Sequence, residues 1–553
     1  MTERVKKLRE QSLNAVPYIS MERAEAVNRV YKKYEGAVST PVLRALVLKE
    51  IMSTKKLCIN DGELIVGERG EAPAATPTYP ELCCHTIEDF EIMDKREKIS
   101  FKVNAEAKKI QKEEIIPYWE KRSMRYHILE NMTDEWKECY AAGIFTEFME
   151  QRGPGHTVAD GKIYKKGFLD FKKDIEKAIE ELDFLNDHEA LDKKNQLEAM
   201  SIACDAIMIL GKRYAEYSKE LAEKEENPER KKELLEISEV CSWVPAHAPR
   251  TFREALQMYW FVHLCVITEL NPWDSFNPGR LDQHLYPYYK KETEAGTLRE
   301  EKANEYLQCF WVKFNNQPAP PKVGVTLKES GTYTDFANIN SGGLKSDGSD
   351  GVNDVSYLVL DVIDEMKLLQ PSSNVQISKK TPQKFLKRAL EIVRKGWGQP
   401  SLFNTDAVIQ EMLRAGKTVE DARDGGTSGC VETGAFGKEA YILTGYFNLP
   451  KILEITLNNG VDPNTGILYK KTNKPILECT STDEILQEYK EMLAYFMDLQ
   501  VVTEHTNDYV HCLYDINPFR SSLVADCIER GLDLVEGGSL YSADGGPTAG
   551  TIS

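Results

Sequence analysis

GGTSGCVETGAFG, residues 425–437, carries one thiol, Cys430, and one carboxylate, Glu432, in thirteen positions of which five are glycine. The stretch is not a phosphate cradle. The glycine that a P-loop needs six places before Lys438 is Glu432, Glu439 stands where Ser or Thr belongs, and no G-x-G-x-x-G pattern occurs in it. If the loop is extended, residues i and i+2 project to the same side, so sulfur and carboxylate address neighbouring atoms of one small substrate. Glycines on either side let the backbone enter a crowded cavity.

Two chemistries fit these residues. Cys430 as a two-electron nucleophile needs an imidazole partner, for which His156 in PGHT is the applicant. Cys430 as a thiyl radical would instead abstract a hydrogen atom from carbon, because S–H and activated C–H bonds are of similar strength. Glu432 beside it would then act as general acid or base for loss of a leaving group from the adjacent carbon.

Composition bounds the rest. The chain has 553 residues, 41% hydrophobic and 29% charged, which is ordinary for a globular protein. Its 70 basic and 88 acidic residues leave a formal charge of −18, which argues against nucleic acid or an anionic membrane as partner. MTERVKKLREQSLNA has no apolar h-region and so is no secretory signal, and ALQMYWFVHLCVITEL (255–270) is too short and too interrupted to span a bilayer. The expectation is a cytoplasmic protein. Its 12 cysteines are scattered, with no C-x-x-C, and CCH at 83–85 lacks both zinc spacing and a second ligand pair. No metal and no disulfide framework are expected.

Residues 1–240 read as mainly helical: Leu197, Met200, Cys204 and Ile207 share one helical face, and SKELAEKEENPERKKELLEI is a solvated helix pair turning at Asn227-Pro228. Function-bearing loops are expected at Gly67–Leu82 and Phe148–Gly161, both dense in Gly, Pro and polar groups. Residues 241–553 alternate strands and helices. SSNVQIS is a strand with Val375 and Ile377 alternating with polar neighbours, and Thr381-Pro382 is an N-cap and N1 pair for QKFLKRALEIVRKG. TDAVIQEMLRAG is a second helix ending at Gly416, and a third from Thr418 runs into the Cys430 loop. The class is α/β.

SGCVETG resembles the thiyl loop of the glycyl radical enzymes, in the branch whose G-C-V-E loop serves dehydratases and C–X lyases; the pyruvate formate-lyase branch has two adjacent cysteines there. VPAHAPRTFREALQMYWFVHL, NPWDSFNPGRLDQHLYPYY and QPSSNVQISKKTPQKFLKRA are similar to the family's barrel segments, so the resemblance extends to about residue 470. It implies an α/β barrel of two antiparallel half-barrels of parallel strands with the Cys loop (425–437) inside, surrounded by helices. The whole chain, 1–553, would then be one pyruvate formate-lyase-type domain, and an incomplete one.

The resemblance further implies that Cys430 is the thiyl carrier and Glu432 the acid/base. Thr433 after CVE, with FMEQRGPGHT and KESGTYTDFANIN, resembles the members that dehydrate trans-4-hydroxy-L-proline to 1-pyrroline-5-carboxylate. On that likeness His156 and Asp274 match contacts to the departing hydroxyl and the ring amine, Ser330 matches a carboxylate contact, and Phe148, Phe336 and Tyr446 match pocket walls. The alternative within the same family is a dehydratase or C–N lyase for glycerol, propanediol or an amine alcohol. A radical-SAM activating enzyme, an anaerobic cytoplasm and a homodimer are implied as well. The family carries its radical on a backbone glycine in an R-V-A-G-Y or similar loop, and no such motif occurs in these residues. The expectation is therefore a fragment of a longer protein, with no cofactor bound by this chain; an inactive ligand-binding fragment is the remaining alternative.

Overall fold

The computed structural model describes residues 1–146, 151, 157–271, 276–319, 323–324, 327, 337–429, 432–440 and 446–542. Helices dominate up to Trp243, and the longest of them, Ala190–Lys224, buries Leu197, Met200, Cys204 and Ile207 as their spacing predicts. It ends before Asn227, whose side chain caps the next helix, Pro228–Trp243, so the expected turn at Asn227-Pro228 is where the chain reverses. The principal hydrophobic cluster runs from Val5 to Leu534, so both halves of the chain share one core.

Every residue of the helix Phe252–Glu269 is buried. Several of its polar side chains find partners inside the protein. The Gln257 carboxamide accepts from Val66 N at 2.9 Å and donates to Val66 O at 2.8 Å, serving the Leu64–Val66 segment as a strand neighbour would. His263 stacks on Trp260 with ring centroids 4.9 Å apart and lies 3.2 Å from the Tyr259 hydroxyl. Lys313 sits between Glu63 and Glu68, all three at 2% exposure or less. Burial works against the Lys313 charge, and the two carboxylates outweigh it and hold the ammonium above its ordinary pKa.

The strands lie mainly in the second half. Asn338–Gly342, Ser372–Ile377 and Ser401–Asn404 form a parallel sheet in sequence order, with Asn340 opposite Asn374 and Asn374 opposite Ser401. Helices Asp354–Met366 and Gln383–Val393 make the crossovers that parallel neighbours require. Thr157–Val158 pairs in parallel with Phe276–Asn277, and Glu439–Ala440 with Tyr541–Ser542.

Local signals were mostly read correctly, with one shift. The helix after SSNVQIS takes Pro382 as its N-cap rather than Thr381, because the Thr381 hydroxyl is used to accept Ser378 N at 2.9 Å and close the preceding turn. Thr418 caps Val419–Asp424 as expected. The described cysteines are all free thiols, and Cys83, Cys139, Cys204, Cys241, Cys265, Cys309 and Cys527 are buried. Among the described residues no group of three or more His, Cys, Asp or Glu is arranged to hold a metal, and no helix is long and apolar enough to cross a membrane.

Burial, with a smaller contribution from Arg69, pushes the His263 pKa down to about 3. The folded chain thus keeps this imidazole neutral while an unfolded one titrates near 6.5. The resulting stability is present above that pH and is lost as pH falls through it. His263→Phe, which keeps the stacked ring, should remove roughly 3 kcal/mol of the loss between about pH 6.5 and pH 4, read as a flatter slope of urea midpoint against pH. Equal slopes would contradict the assignment. Lys313→Met, which strands two buried carboxylates, should cost about 3–5 kcal/mol in urea unfolding at an unchanged m-value. A loss below about 1 kcal/mol would mean the pair is solvated like a surface ion pair.

Candidate active site

The opening stretch folds as an antiparallel hairpin. Gly426–Ser428 pairs with Glu432–Gly434, with Glu432 opposite Ser428 and Thr433 opposite Thr427. Two of its glycines answer to packing. A Cβ on Gly425 would lie 2.3 Å from Gly434 O, and one on Gly426 would lie 2.6 Å from Asn340 Oδ1 and 2.7 Å from the Phe436 ring. Glycine here admits a neighbouring side chain to the hairpin, a role that composition alone did not distinguish from access to a cavity.

Glu432 is half-buried on the second strand, and Tyr446 is half-buried on Tyr446–Phe447, which pairs with Phe145–Thr146 in the register Tyr446 opposite Thr146. Cys430, His156, Asp274, Ser330, Phe148 and Phe336 lie outside the described residues. Thr157 and Phe276, which adjoin the His156 and Asp274 segments in sequence, are register partners.

What holds the hairpin is a network of buried carboxamides. Asn340 donates to Thr427 O at 2.8 Å and accepts from Thr427 N at 3.2 Å, so one side chain satisfies both main-chain groups of one residue. Its oxygen also accepts from Gln376 Nε2 at 2.9 Å. Gln376 Nε2 donates to Asn374 Oδ1 at 3.1 Å, and Asn374 Nδ2 donates to Thr427 Oγ1 at 2.9 Å and to Asn338 Oδ1 at 3.0 Å. Asn338 Nδ2 in turn donates to Gly429 O at 3.3 Å. On the flank, Asn277 donates to the Ser428 hydroxyl and accepts from Asn338 N. Asn277, Asn340, Asn374 and Gln376 are wholly buried and Asn338 is nearly so.

The base of the hairpin is held by charge. Arg280 donates to Gly425 O at 2.7 Å, Gly342 O at 2.9 Å and Leu344 O at 2.6 Å, joining the hairpin to the sheet. Burial lowers its pKa, with Asp282 and Asp424 acting in the opposite direction. Beyond the second strand, Glu439 accepts Ala435 N at 2.8 Å and pairs with Lys417 at 2.8 Å. Burial raises the Glu439 pKa against the pull of Lys417. Lys438 pairs with Asp421, whose other oxygen accepts the Tyr541 hydroxyl at 2.6 Å. A cavity of about 690 Å³ opens below this base between Asp160, Lys162, His284, Asp424 and Lys438; neither Glu432 nor Tyr446 lines it.

Sequence reading missed the carboxamides and Arg280. The signal was present in NIN and NVQ, where alternate positions of two strands are amides, but alternation of polar with apolar residues reads as a solvated face. Here the sheet is covered on both sides: Val375 and its polar neighbours Asn374 and Gln376 are all at 0% exposure.

A family model described as pyruvate formate lyase-like matches residues 1–553. The chain is 60% identical over 544 residues to the trans-4-hydroxy-L-proline dehydratase of Clostridioides difficile, an alignment that covers 98% of this chain and 68% of the relative. The crystal structure of the hydroxyproline dehydratase from C. difficile with trans-4-hydroxy-L-proline bound superposes with a TM-score of 0.95 over 98% of this chain and 69% of that one. The glycerol-bound B12-independent glycerol dehydratase of Clostridium butyricum matches at 33% identity and a TM-score of 0.92, covering 98% of this chain and 68% of that one. A glycyl radical enzyme from Archaeoglobus fulgidus matches at 30% identity and a TM-score of 0.89, over 98% and 69% of the two chains. The sheet and hairpin described above are thus parts of the α/β barrel that these structures share. With the family pattern matched over residues 1–553, the chain belongs to the pyruvate formate lyase-like family, among the glycyl radical enzymes.

Proposed function

We propose that this chain is a glycyl radical dehydratase that converts trans-4-hydroxy-L-proline to 1-pyrroline-5-carboxylate and water. The observation that carries the reading is the 60% identity to an enzyme of that name over 98% of the chain, on a hairpin with one thiol and one carboxylate. The lower identity to the glycerol enzyme, 33% against 60%, makes glycerol the weaker candidate.

In this reading a glycyl radical installed by a radical-SAM activating enzyme supplies the one-electron oxidation that turns the Cys430 thiol into a thiyl. Cys430 takes a hydrogen atom from the ring CH2 beside nitrogen, leaving an unpaired electron on that carbon. The hydroxyl on the neighbouring carbon departs with the C–O electron pair and a proton from Glu432, while the ring nitrogen gives up a proton. The unpaired electron moves to the carbon that lost oxygen, where Cys430 returns its hydrogen atom, leaving a C=N bond. The net change is loss of one water, and the thiyl is regenerated.

His156 and Asp274 are proposed to bind the hydroxyl and the ring ammonium, a charge-assisted contact of about 1.5–3 kcal/mol for the carboxylate. Ser330 is proposed for the substrate carboxylate, and Phe148, Phe336 and Tyr446 for walls that exclude water. Support comes from the strands these residues adjoin: Thr157 is paired with Phe276, Asn277 is bonded to both Asn338 and Ser428, and Tyr446 is paired with Thr146.

The test is anaerobic turnover by the complete reading frame containing these residues, co-expressed with an activating enzyme and offered hydroxyproline, glycerol and propane-1,2-diol separately. Formation of 1-pyrroline-5-carboxylate from hydroxyproline alone is expected. Cys430→Ser should abolish it, and Glu432→Gln should lower kcat by about 10²–10⁴. Inertness towards hydroxyproline with turnover of a diol would overturn the substrate, and turnover surviving in Cys430→Ser would overturn the thiyl role.

A further inference from the structure

We propose that Asn340, aligned by Gln376, is a positioning residue that sets where Gly426–Ser428, the strand that leads to Cys430, stands relative to the parallel sheet. The inference rests on the reading of Cys430 as the reacting thiol. Asn340 is the centre of the sheet's register with the hairpin: it lies opposite Asn374 in the parallel ladder and grips Thr427, three residues before Cys430. A neutral carboxamide donates and accepts from one planar group, which a carboxylate, a hydrocarbon or an ammonium does not do.

Its orientation is fixed from behind. Gln376 Nε2 donates to Asn340 Oδ1, so the Asn340 NH2 must be the end that faces Thr427 O. Gln376 is itself fixed, because its amide nitrogen is shared with Asn374 Oδ1 and its oxygen accepts Thr405 Oγ1 at 3.4 Å. Exchanging O and N in Asn340 would set donor against donor at Thr427 N and Gln376 Nε2, and exchanging them in Gln376 would set acceptor against acceptor at Asn340 Oδ1 and Asn374 Oδ1. The network therefore allows one arrangement, running from Thr405 through Gln376 and Asn340 to the Thr427 main chain, with a second branch through Asn374 and Asn338 to Gly429 O. The absent Cβ at Gly426 is what lets Asn340 approach so closely.

Arg280, Lys417 and Glu439 hold the base of the hairpin, so loss of the Asn340 grip should shift Gly426–Ser428 without unfolding the barrel. A displacement of about 1 Å at a reacting centre costs about 10²-fold in rate. Two variants separate position from packing. Asn340→Asp keeps size and shape and both accepted bonds but loses the donor to Thr427 O. Gln376→Leu leaves Asn340 in place and removes what orients it.

Each variant, in the activated full reading frame, is measured for kcat, KM and thermal midpoint, and separately, without activation, for the rate at which iodoacetamide alkylates Cys430 as read by peptide mass spectrometry. Expected for both is a kcat about 10²-fold lower, KM within about twofold, a midpoint within a few degrees, and a Cys430 alkylation rate changed about tenfold or more. Should Asn340→Asp fail to fold, Gln376→Leu alone decides. The proposal is overturned if kcat and alkylation rate stay within about threefold of wild type, or if kcat falls only in step with the thermal midpoint. The alkylation arm does not depend on hydroxyproline turnover. A wild type inert to hydroxyproline in which the variants still alter Cys430 reactivity would overturn the substrate assignment and leave the positioning role standing.

Discussion

Asn340 and Thr427 exchange two hydrogen bonds in the buried interior of the barrel, and the rest of the site depends on that exchange. A hairpin entering a barrel presents main-chain N–H and C=O groups that no neighbouring strand can reach. Each left unpaired would cost about 1–3 kcal/mol. The protein meets the requirement with side-chain amides, which act as a detached strand edge. It uses the same device at Gln257 and Val66, where a buried helix meets an extended segment.

Amides suit the proposed radical site for a second reason. They are neutral at every accessible pH, so the network neither titrates nor competes with Glu432 for protons, and their N–H bonds are too strong to be attractive to a thiyl. Charge is kept at the base: Arg280 on three carbonyls, and Glu439 between Lys417 and Ala435 N. The division puts charge at the foot of the hairpin and neutral amides along its first strand, with the two strands that carry NIN and NVQ serving as the reference frame.

How much of this was legible in the sequence follows from the range of each interaction. Caps, helix faces and the Asn227-Pro228 reversal depend on neighbours within a turn or two, and they were read to within a residue; the shift from Thr381 to Pro382 came from a hydroxyl diverted to a local turn. The reading of Cys430 and Glu432 as a pair came from the few chemistries that use a thiol and a carboxylate at that spacing, and it stands as a proposal. The carboxamide network joins residues 277, 338–340, 374–376 and 427–429, and no local pattern links them. Asn and Gln at alternate strand positions read as exposed until it is known that both faces of the sheet are buried and that the hairpin lies on the carboxamide face. The side chains proposed to contact substrate rest only on the family resemblance.

The most direct test of the account is to follow deuterium from trans-4-hydroxy-L-proline labelled at the ring CH2 beside nitrogen through turnover by the activated enzyme. Hydrogen-atom transfer through Cys430 predicts a primary isotope effect and deuterium on the product carbon that formerly bore the hydroxyl. Deuterium released wholly to solvent, with solvent hydrogen at that carbon and no isotope effect, would mean a two-electron elimination and would contradict the thiyl role of this hairpin.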